Sequence, residues 1–158
     1  MEQIKWVLIL MLATSCQFFE MEKISSDAFY EEEMQAIDWE SVTQYPAFEE
    51  CEAFTEKNEQ KHCFETRLRN HVYRWLEGKP MVTYQDLNHT VLMDLTISKT
   101  GAISDLQIEM DSVLRHSLPL LQEWLTTSID SLPPLEPAYK SGIPVKTKFT
   151  LPVVIATN

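Results

Sequence analysis

Glycine and basic residues are scarce in this chain of 158 residues, which has three glycines, and 13 Lys and Arg against 24 Asp and Glu. Glycine-rich phosphate loops need several glycines in close succession, so this class of nucleotide site is excluded. Nucleic acids are held by patches of Lys and Arg, and no such patch is present. The sequence also lacks a nucleophile elbow and a paired catalytic cluster. We therefore expect neither an enzyme nor a cofactor, and no nucleic-acid partner.

The apolar run near the amino terminus, Trp6 to Ala13, is too short to span a bilayer as a helix. Its length and position are instead typical of the hydrophobic region of a signal peptide. The residues Ala13-Thr14-Ser15-Cys16 resemble a lipobox, in which small residues precede a cysteine that receives diacylglycerol. The sequence therefore predicts a signal peptide over residues 1–15 and lipidation of Cys16. An ordinary secretory signal with an incidental cysteine is the alternative.

Residues 16–44 are predicted to form an acidic linker between the lipid and a folded domain. The segment Gln17 to Ala47 carries eight acidic residues and one lysine, and no proline precedes Pro46. An acidic tail is repelled from an anionic membrane surface, so membrane attachment is expected to come from the lipid. A solvated tail is the favoured interpretation, and a short helical turn that docks on the domain is the alternative. The apolar residues available for such a turn are Phe29, Tyr30, Ile37 and Trp39.

Two amphipathic helices are predicted in the domain, which we place over residues 45–158. Thr55 fits the N-cap of a helix that runs to about Glu77, where Gly78 is suited to end it. Pro119 fits the first turn of the second helix. Apolar residues recur at helical spacing in both segments. They are Phe64, Leu68, Val72 and Leu76 in the first helix, and Leu121, Leu125, Ile129 and Leu132 in the second.

Three strands are predicted from alternating apolar residues over Thr90–Ser98, Ile103–Met110 and Val145–Ile155. Gly101 lies in the connection between the first two and is able to take the positive φ of a hairpin turn. The order of elements is helix, strand, strand, helix, strand. This order predicts an α+β fold with a small antiparallel three-stranded sheet backed by two helices.

Several segments of the carboxy-terminal part carry a family resemblance. They read SLPPLEP at residues 131–137, GIPV at 142–145, KFTLP at 148–152 and TISKTGAI at 96–103. These segments resemble the TonB carboxy-terminal-domain family. Upstream, YPAF at 45–48 with Cys51, and KHCF at 61–64, resemble the extension found in stand-alone TonB-like proteins of the Bacteroidetes type. The segment before the first strand and the start of the second helix depart from the family pattern.

The resemblance implies an α-β-β-α-β domain that binds a protein partner in the bacterial periplasm by strand addition. The partner strand is expected to pair with the last strand of the sheet. The candidate partner-binding residues are Val145, Lys146, Thr147, Lys148, Phe149, Thr150 and Leu151. Lys146 and Lys148 suit an acidic peptide, and edge lysines that merely deter aggregation are the alternative. The expected partner is a protein or peptide of the cell envelope, with a receptor of TonB-dependent transport as one candidate.

A structural or assembly lipoprotein is the alternative function. Such a domain would form a homodimer or dock on an envelope partner without any role in receptor energisation. A TonB protein that transmits energy needs a transmembrane helix and a long Pro-rich spacer, and the segment before Pro46 has neither. Energy transduction by this chain alone is therefore not expected. Either way, the predicted location is the cell envelope, on a membrane and facing the periplasm.

Cys51 and Cys63 form an even pair once Cys16 is assigned to the lipid, and an exported protein meets an oxidising compartment. A disulfide between them is predicted. A metal site is the other interpretation, since His62 and His71 are near in sequence, but no four ligands are spaced for zinc. The remaining isolated histidines are predicted to be surface residues or satisfied polar contacts. They are His71, His89 and His116.

Overall fold

The computed structural model describes residues 37–157, and it confirms the predicted α+β class. Three helices and six strands lie in this part of the chain. The helices are α1 (Lys57–Glu77), α2 (Ser112–Ser117) and α3 (Leu121–Asp130). The strands are β1 (Ile37–Asp38), β2 (Leu87–Ile97), β3 (Ile103–Glu109), β4 (Ala138–Lys140), β5 (Ile143–Val145) and β6 (Thr147–Thr157). Within residues 37–157, no helix is both long and apolar enough to cross a membrane.

The main sheet has the strand order β1-β6-β2-β3. Strands β6, β2 and β3 are antiparallel neighbours and form the predicted three-stranded sheet. Strand β1 adds a short parallel pairing at the far side of β6, which the sequence did not predict. Strands β4 and β5 form a separate antiparallel hairpin. Strands β6 and β2, of 11 residues each, are therefore the interior strands, and the described sheet ends at β3 on one side and β1 on the other.

One face of the sheet carries the core. Residues of β6 alternate strictly, with Thr147, Phe149 and Leu151 buried and the residues between them exposed. The predicted alternation of this strand is thereby confirmed. Helix α1 presents the predicted stripe to the same core, and all four of its members are buried. The helix begins at Lys57 with Glu56 at the N-cap, so the N-cap predicted at Thr55 is wrong by one residue.

Helix α2 is an addition to the predicted elements. Its N-cap is Asp111, whose carboxylate accepts a hydrogen bond of 2.8 Å from the Leu114 N–H. Asp111 is a strong N-cap residue, because its side chain satisfies a backbone donor that the first turn leaves without a partner. The second predicted helix corresponds to α3, which begins at Leu121. Helix α3 contacts α1 and β3, and Leu114, Leu121 and Leu125 of the two short helices are fully buried in the core.

The β4–β5 hairpin corrects the predicted start of the last strand. Val145 ends β5 and is paired with Ala138, and Lys146 lies between β5 and β6. Neither residue belongs to the last strand, which begins at Thr147. The physical reason is the Ser141-Gly142 turn, whose residues have φ values of 52° and 79°. This turn folds the chain back on itself before the long strand begins.

The folded domain also begins earlier than the predicted boundary at Tyr45. Trp39 is only 8% exposed and Val42 is 1% exposed, so both belong to the core. The ring of Trp39 lies 4.5 Å from that of Phe149 and 4.7 Å from that of Tyr45. A short 3-10 turn over Trp39–Ser41 docks on the domain, as the alternative interpretation of this segment proposed. Phe29 and Tyr30 lie outside the described residues.

Candidate functional site

The predicted partner-binding residues split between three places. Val145 and Lys146 lie before the last strand, as described above. Thr147, Phe149 and Leu151 face the core, so their side chains are not available to a partner. Lys148 and Thr150 point to the open face of the sheet, where both contact Asp94. A partner strand would therefore meet this part of β6 through backbone atoms rather than through the predicted side chains.

The pairing of Lys148 changes the electrostatic expectation for this strand. Its Nζ lies 3.5 Å from an Asp94 carboxylate oxygen, and the Thr150 hydroxyl donates a hydrogen bond to the other oxygen. The charge that Lys148 was expected to offer to an acidic peptide is thus already balanced within the domain. Lys146 lies outside β6 altogether.

The outer edge of β6 is the side that faces away from β2. Val154 shows which backbone groups point there, because its N–H donates to the Tyr73 hydroxyl at 3.1 Å. In an extended strand, every second residue directs its N–H and C=O to the same side. Lys148, Thr150 and Pro152 therefore share the outer edge with Val154. Pro152 agrees with this assignment, since it lacks an N–H and occupies a position where β2 requires none.

This outer edge is occupied at both ends. Strand β1 pairs with Thr147 and Lys148, and the Tyr73 hydroxyl contacts both the N–H and the C=O of Val154. Between Lys148 and Val154, Pro152 has no N–H to donate. Thr150 is therefore the one residue of this stretch whose N–H points outward. A strand-addition site needs several successive donors and acceptors. The last strand is accordingly a poor receptor for a partner strand while β1 is in place.

The outer edge of β3 is different. Among residues 37–157, no strand lies beside it. The register assigns its backbone directions: Thr90 and Leu92 pair with Val154 and Pro152, so the even-numbered residues of β2 turn away from β6 and toward β3. Their partners in β3 are Asp105, Gln107 and Glu109. The N–H and C=O groups of Leu106 and Ile108 are therefore directed outward, away from the sheet.

The side chains of β3 divide between two faces. Leu106 and Ile108 lie opposite the buried Leu95 and Met93, and both are partly buried against the core. Asp105, Gln107 and Glu109 are exposed on the open face. The Gln107 amide donates a 3.2 Å hydrogen bond to Asp105. We name this surface, from Asp105 to Glu109 with its outward backbone groups, the β3 edge.

Sequence reasoning missed the β3 edge, although part of the signal was present. The alternation of Leu106, Ile108 and Met110 with polar residues predicted a strand with one buried face. The missing information was which hairpin strand pairs with the last strand. Because β6 pairs with β2, β3 is left at the margin of the sheet. A pattern of apolar residues does not encode that choice.

Cys51 and Cys63 connect two segments that precede β2 in the chain. Cys51 and Cys63 are joined by a disulfide with their Cα atoms 5.8 Å apart, within the ordinary range for such a bond. The disulfide links the 3-10 turn Glu49–Cys51 to the second turn of α1. Cys51 is fully buried. No group of three or more potential metal ligands occurs within residues 37–157. Cys16 lies outside the described residues.

Two of the histidines, His71 and His89, take part in local polar contacts. His71 Nε2 lies 2.9 Å from the Ser128 carbonyl oxygen and joins α1 to α3. His89 Nδ1 lies 2.6 Å from a carboxylate oxygen of Asp111. The Leu114 N–H and His89 both stabilise the charged carboxylate, and together they hold the pKa of Asp111 below its usual value despite partial desolvation. These contacts have structural explanations and do not assemble a reactive centre.

Comparison of the chain with known protein families, with curated proteins and with solved structures finds no match.

Proposed function

We propose that this chain is a protein-binding module of the bacterial cell envelope, and that it takes an extended segment of its partner as an additional strand at the β3 edge. The observation that carries the proposal is that no strand of residues 37–157 pairs with the outer side of β3. Strand addition uses the backbone groups of such an edge for affinity and the alternating side chains for specificity. The β3 edge offers both, because Leu106 and Ile108 present backbone groups while Asp105 and Glu109 flank them.

Strand addition is the binding mode that the resemblance to TonB-like domains implies, but here the partner is proposed to pair with β3. In the expectation drawn from the resemblance, the partner pairs with the last strand. The positions of β1, Pro152 and the Tyr73 hydroxyl argue for the opposite side of the sheet. A link to TonB-dependent transport belongs to this proposal only as a class of partner, since it rests on the resemblance alone.

The envelope location rests on the predicted signal peptide and on Cys16. We expect the mature protein to start at Cys16, to carry added acyl mass and to fractionate with membranes. The Cys16→Ala variant should lose the acyl mass and the lipid-mediated attachment to the membrane, because the thiol that carries the acyl chains is removed. Intact-mass measurement of both proteins checks this. A lipid-free mature form in the unaltered protein would refute the anchor and leave the binding site untouched.

A homodimer is the second candidate, and the same edge argues against it in the unaltered protein. Self-pairing across a two-fold axis at Gln107 would join Leu106 to Ile108 of the second copy by backbone hydrogen bonds. It would also place Asp105 directly opposite Glu109 of the second copy, twice. Like charges directly opposite each other destabilise paired strands. The unaltered chain is therefore not expected to dimerise in this register.

This register gives a direct test of whether the β3 edge accepts a strand. A single charge reversal, Asp105→Lys, changes both like-charge pairs of the self-pairing into opposite-charge pairs. We expect this variant to dimerise at least roughly tenfold more tightly than the unaltered chain. Glu109→Lys is the matched variant and should behave in the same way. Sedimentation velocity of the full chain over a concentration series measures the effect.

The double variant is the control for this test. Asp105→Lys combined with Glu109→Lys restores like charges, so it should be as monomeric as the unaltered chain. An equal mixture of the double variant with the unaltered chain should associate, because every pair across the edge is then opposite in charge. If all four proteins have the same association state and the mixture stays dissociated, the edge is not open to a strand and the proposal is wrong.

A further inference from the structure

The charge and side-chain pattern of the β3 edge identifies the chemistry of the strand that it takes. We propose that the partner strand is basic, with Lys or Arg opposite Asp105 and Glu109 and with apolar residues opposite Leu106 and Ile108. This inference rests on the proposed function, because it assumes that a strand is added at this edge. It adds the class of partner, which strand addition by itself leaves open.

The β3 edge carries negative charge that no basic residue among residues 37–157 pairs with. Another carboxylate on the open face, Asp94, is balanced by Lys148 at 3.5 Å and by the Thr150 hydroxyl. Within residues 37–157, neither Asp105 nor Glu109 forms an ion pair, and the one side-chain contact is the Gln107 amide on Asp105. The outermost strand of the open face is therefore acidic, and no basic residue of the part of the chain that the structure describes forms an ion pair with it. This pattern is complementary to a basic strand and repels an acidic one.

The positions of Asp105 and Glu109 in the strand also favour a basic partner. Leu106 and Ile108 direct their backbone groups outward, so Asp105, Gln107 and Glu109 occupy non-hydrogen-bonded positions toward an antiparallel strand added outside. Opposed residues in such positions have their side chains closest together. A basic residue opposite Asp105 and another opposite Glu109 are then in good reach of the carboxylates. The two basic residues are four positions apart in the partner.

The apolar side of the β3 edge favours a partner strand with apolar residues on its core-facing side. Leu106 and Ile108 are only partly buried and belong to the margin of the core, together with Trp124 of α3. Apolar residues of an added strand on this side would remove that remaining surface from water, which is favourable. The partner is thus expected to alternate, with basic residues toward the open face and apolar residues toward the helices. A second copy of this chain does not fit, because its own β3 is acidic.

Three synthetic peptides test the inference on the full chain. The first is an acetylated peptide with the central sequence Lys-Val-Gln-Val-Lys. The second replaces both lysines with glutamate. The third keeps the lysines and replaces one valine with proline, which removes a backbone donor and disfavours the extended pairing. Affinities are measured by fluorescence anisotropy, and backbone chemical shifts locate the binding site.

We expect the lysine peptide to bind at least roughly tenfold more tightly than the glutamate peptide, with shifts centred on Leu106 and Ile108. The proline peptide should not bind measurably. The full-chain variant Asp105→Asn with Glu109→Gln keeps the shape of the edge and should remove the preference for lysine. Its unfolding midpoint should match that of the unaltered chain, because both side chains are exposed.

The outcomes separate the two proposals. Equal binding of the lysine and glutamate peptides, with loss of both affinities on proline substitution, would overturn the basic partner and keep strand addition. Binding of the lysine peptide that survives the proline substitution would overturn both, because it would show attraction to an acidic surface without strand pairing. Shifts centred on β6 with β3 unaffected would overturn the β3 edge as the site.

Discussion

Trp39→Ala is expected to lower the free energy of unfolding by about 3–5 kcal/mol, the usual cost of truncating a buried aromatic residue to alanine. Trp39 is 8% exposed although it precedes the helices and all long strands of the domain. Its ring contacts those of Phe149, Tyr45 and Phe64 at 4.5, 4.7 and 5.4 Å. The substitution removes the centre of this aromatic cluster and leaves a cavity beside β6.

Equilibrium unfolding in urea measures the change, with Tyr84→Ala as the matched control. Tyr84 is a fully exposed aromatic residue in the connection before β2. Its truncation should change the free energy of unfolding by no more than about 0.5 kcal/mol, as is usual for surface positions. A loss for Trp39→Ala as small as that for Tyr84→Ala would show that the segment before Tyr45 is not part of the folded domain.

The same experiment bears on the edge of β6. Trp39 directly follows β1, and its packing holds this two-residue strand beside Thr147 and Lys148. Without the tryptophan, the pairing of β1 has little else to support it, since such short pairings are not stable alone. The backbone N–H of Lys148 should then exchange with solvent faster, while exchange in β2 changes only with global stability. The edge expected from the family resemblance is thus closed by the chain's own amino-terminal segment.

Local patterns were enough to predict the elements that build the core. The four-residue spacing from Phe64 to Leu76 identified α1, and the alternation around Phe149 identified the buried face of the last strand. Both signals work because burial imposes the period of the secondary structure on the apolar residues. The turn at Gly101 was likewise marked by the residue that it requires.

Relations between distant segments were not predictable in this way. Trp39 appeared in an acidic, polar stretch, where its contacts with Phe149 and Phe64 left no local pattern. The β4–β5 hairpin was hidden because its strands are three residues each, too short for alternation to be visible. The β3 edge depends on the pairing of β6 with β2. Tertiary contacts determine these features, and they therefore also determine where the candidate site lies.

The turn that positions the β3 edge rests on an unusually close approach of two backbones. Gly101 has a φ of 80°, and a Cβ built on it would lie 1.8 Å from the carbonyl oxygen of Leu135. The backbone next to Leu135 is itself fixed, because the Glu136 N–H donates to the Ala47 carbonyl oxygen at 2.8 Å. Neither side of the contact is a flexible side chain, so the backbone must move to admit a methyl group. This contact sets how the β2–β3 hairpin sits on the domain.

Gly101→Ala is accordingly expected to lower the free energy of unfolding by about 2–5 kcal/mol, from the cost of a left-handed alanine and from overpacking. The other two glycines separate these causes. Gly142 has a φ of 79° and open space around its Cβ position, so Gly142→Ala should lose only about 1–2 kcal/mol. Gly78 has a φ of −84° and open space, so Gly78→Ala should be neutral or gain up to about 1 kcal/mol. Urea unfolding of the three variants gives the comparison.

If Gly101→Ala lowers the free energy of unfolding no more than Gly142→Ala does, the close approach to Leu135 is absent in solution and the hairpin is not held there. If Gly101→Ala lowers the free energy of unfolding more than Gly142→Ala does, chemical shifts along β3 should change as well. Strand β3, which carries the β3 edge, begins two residues after Gly101.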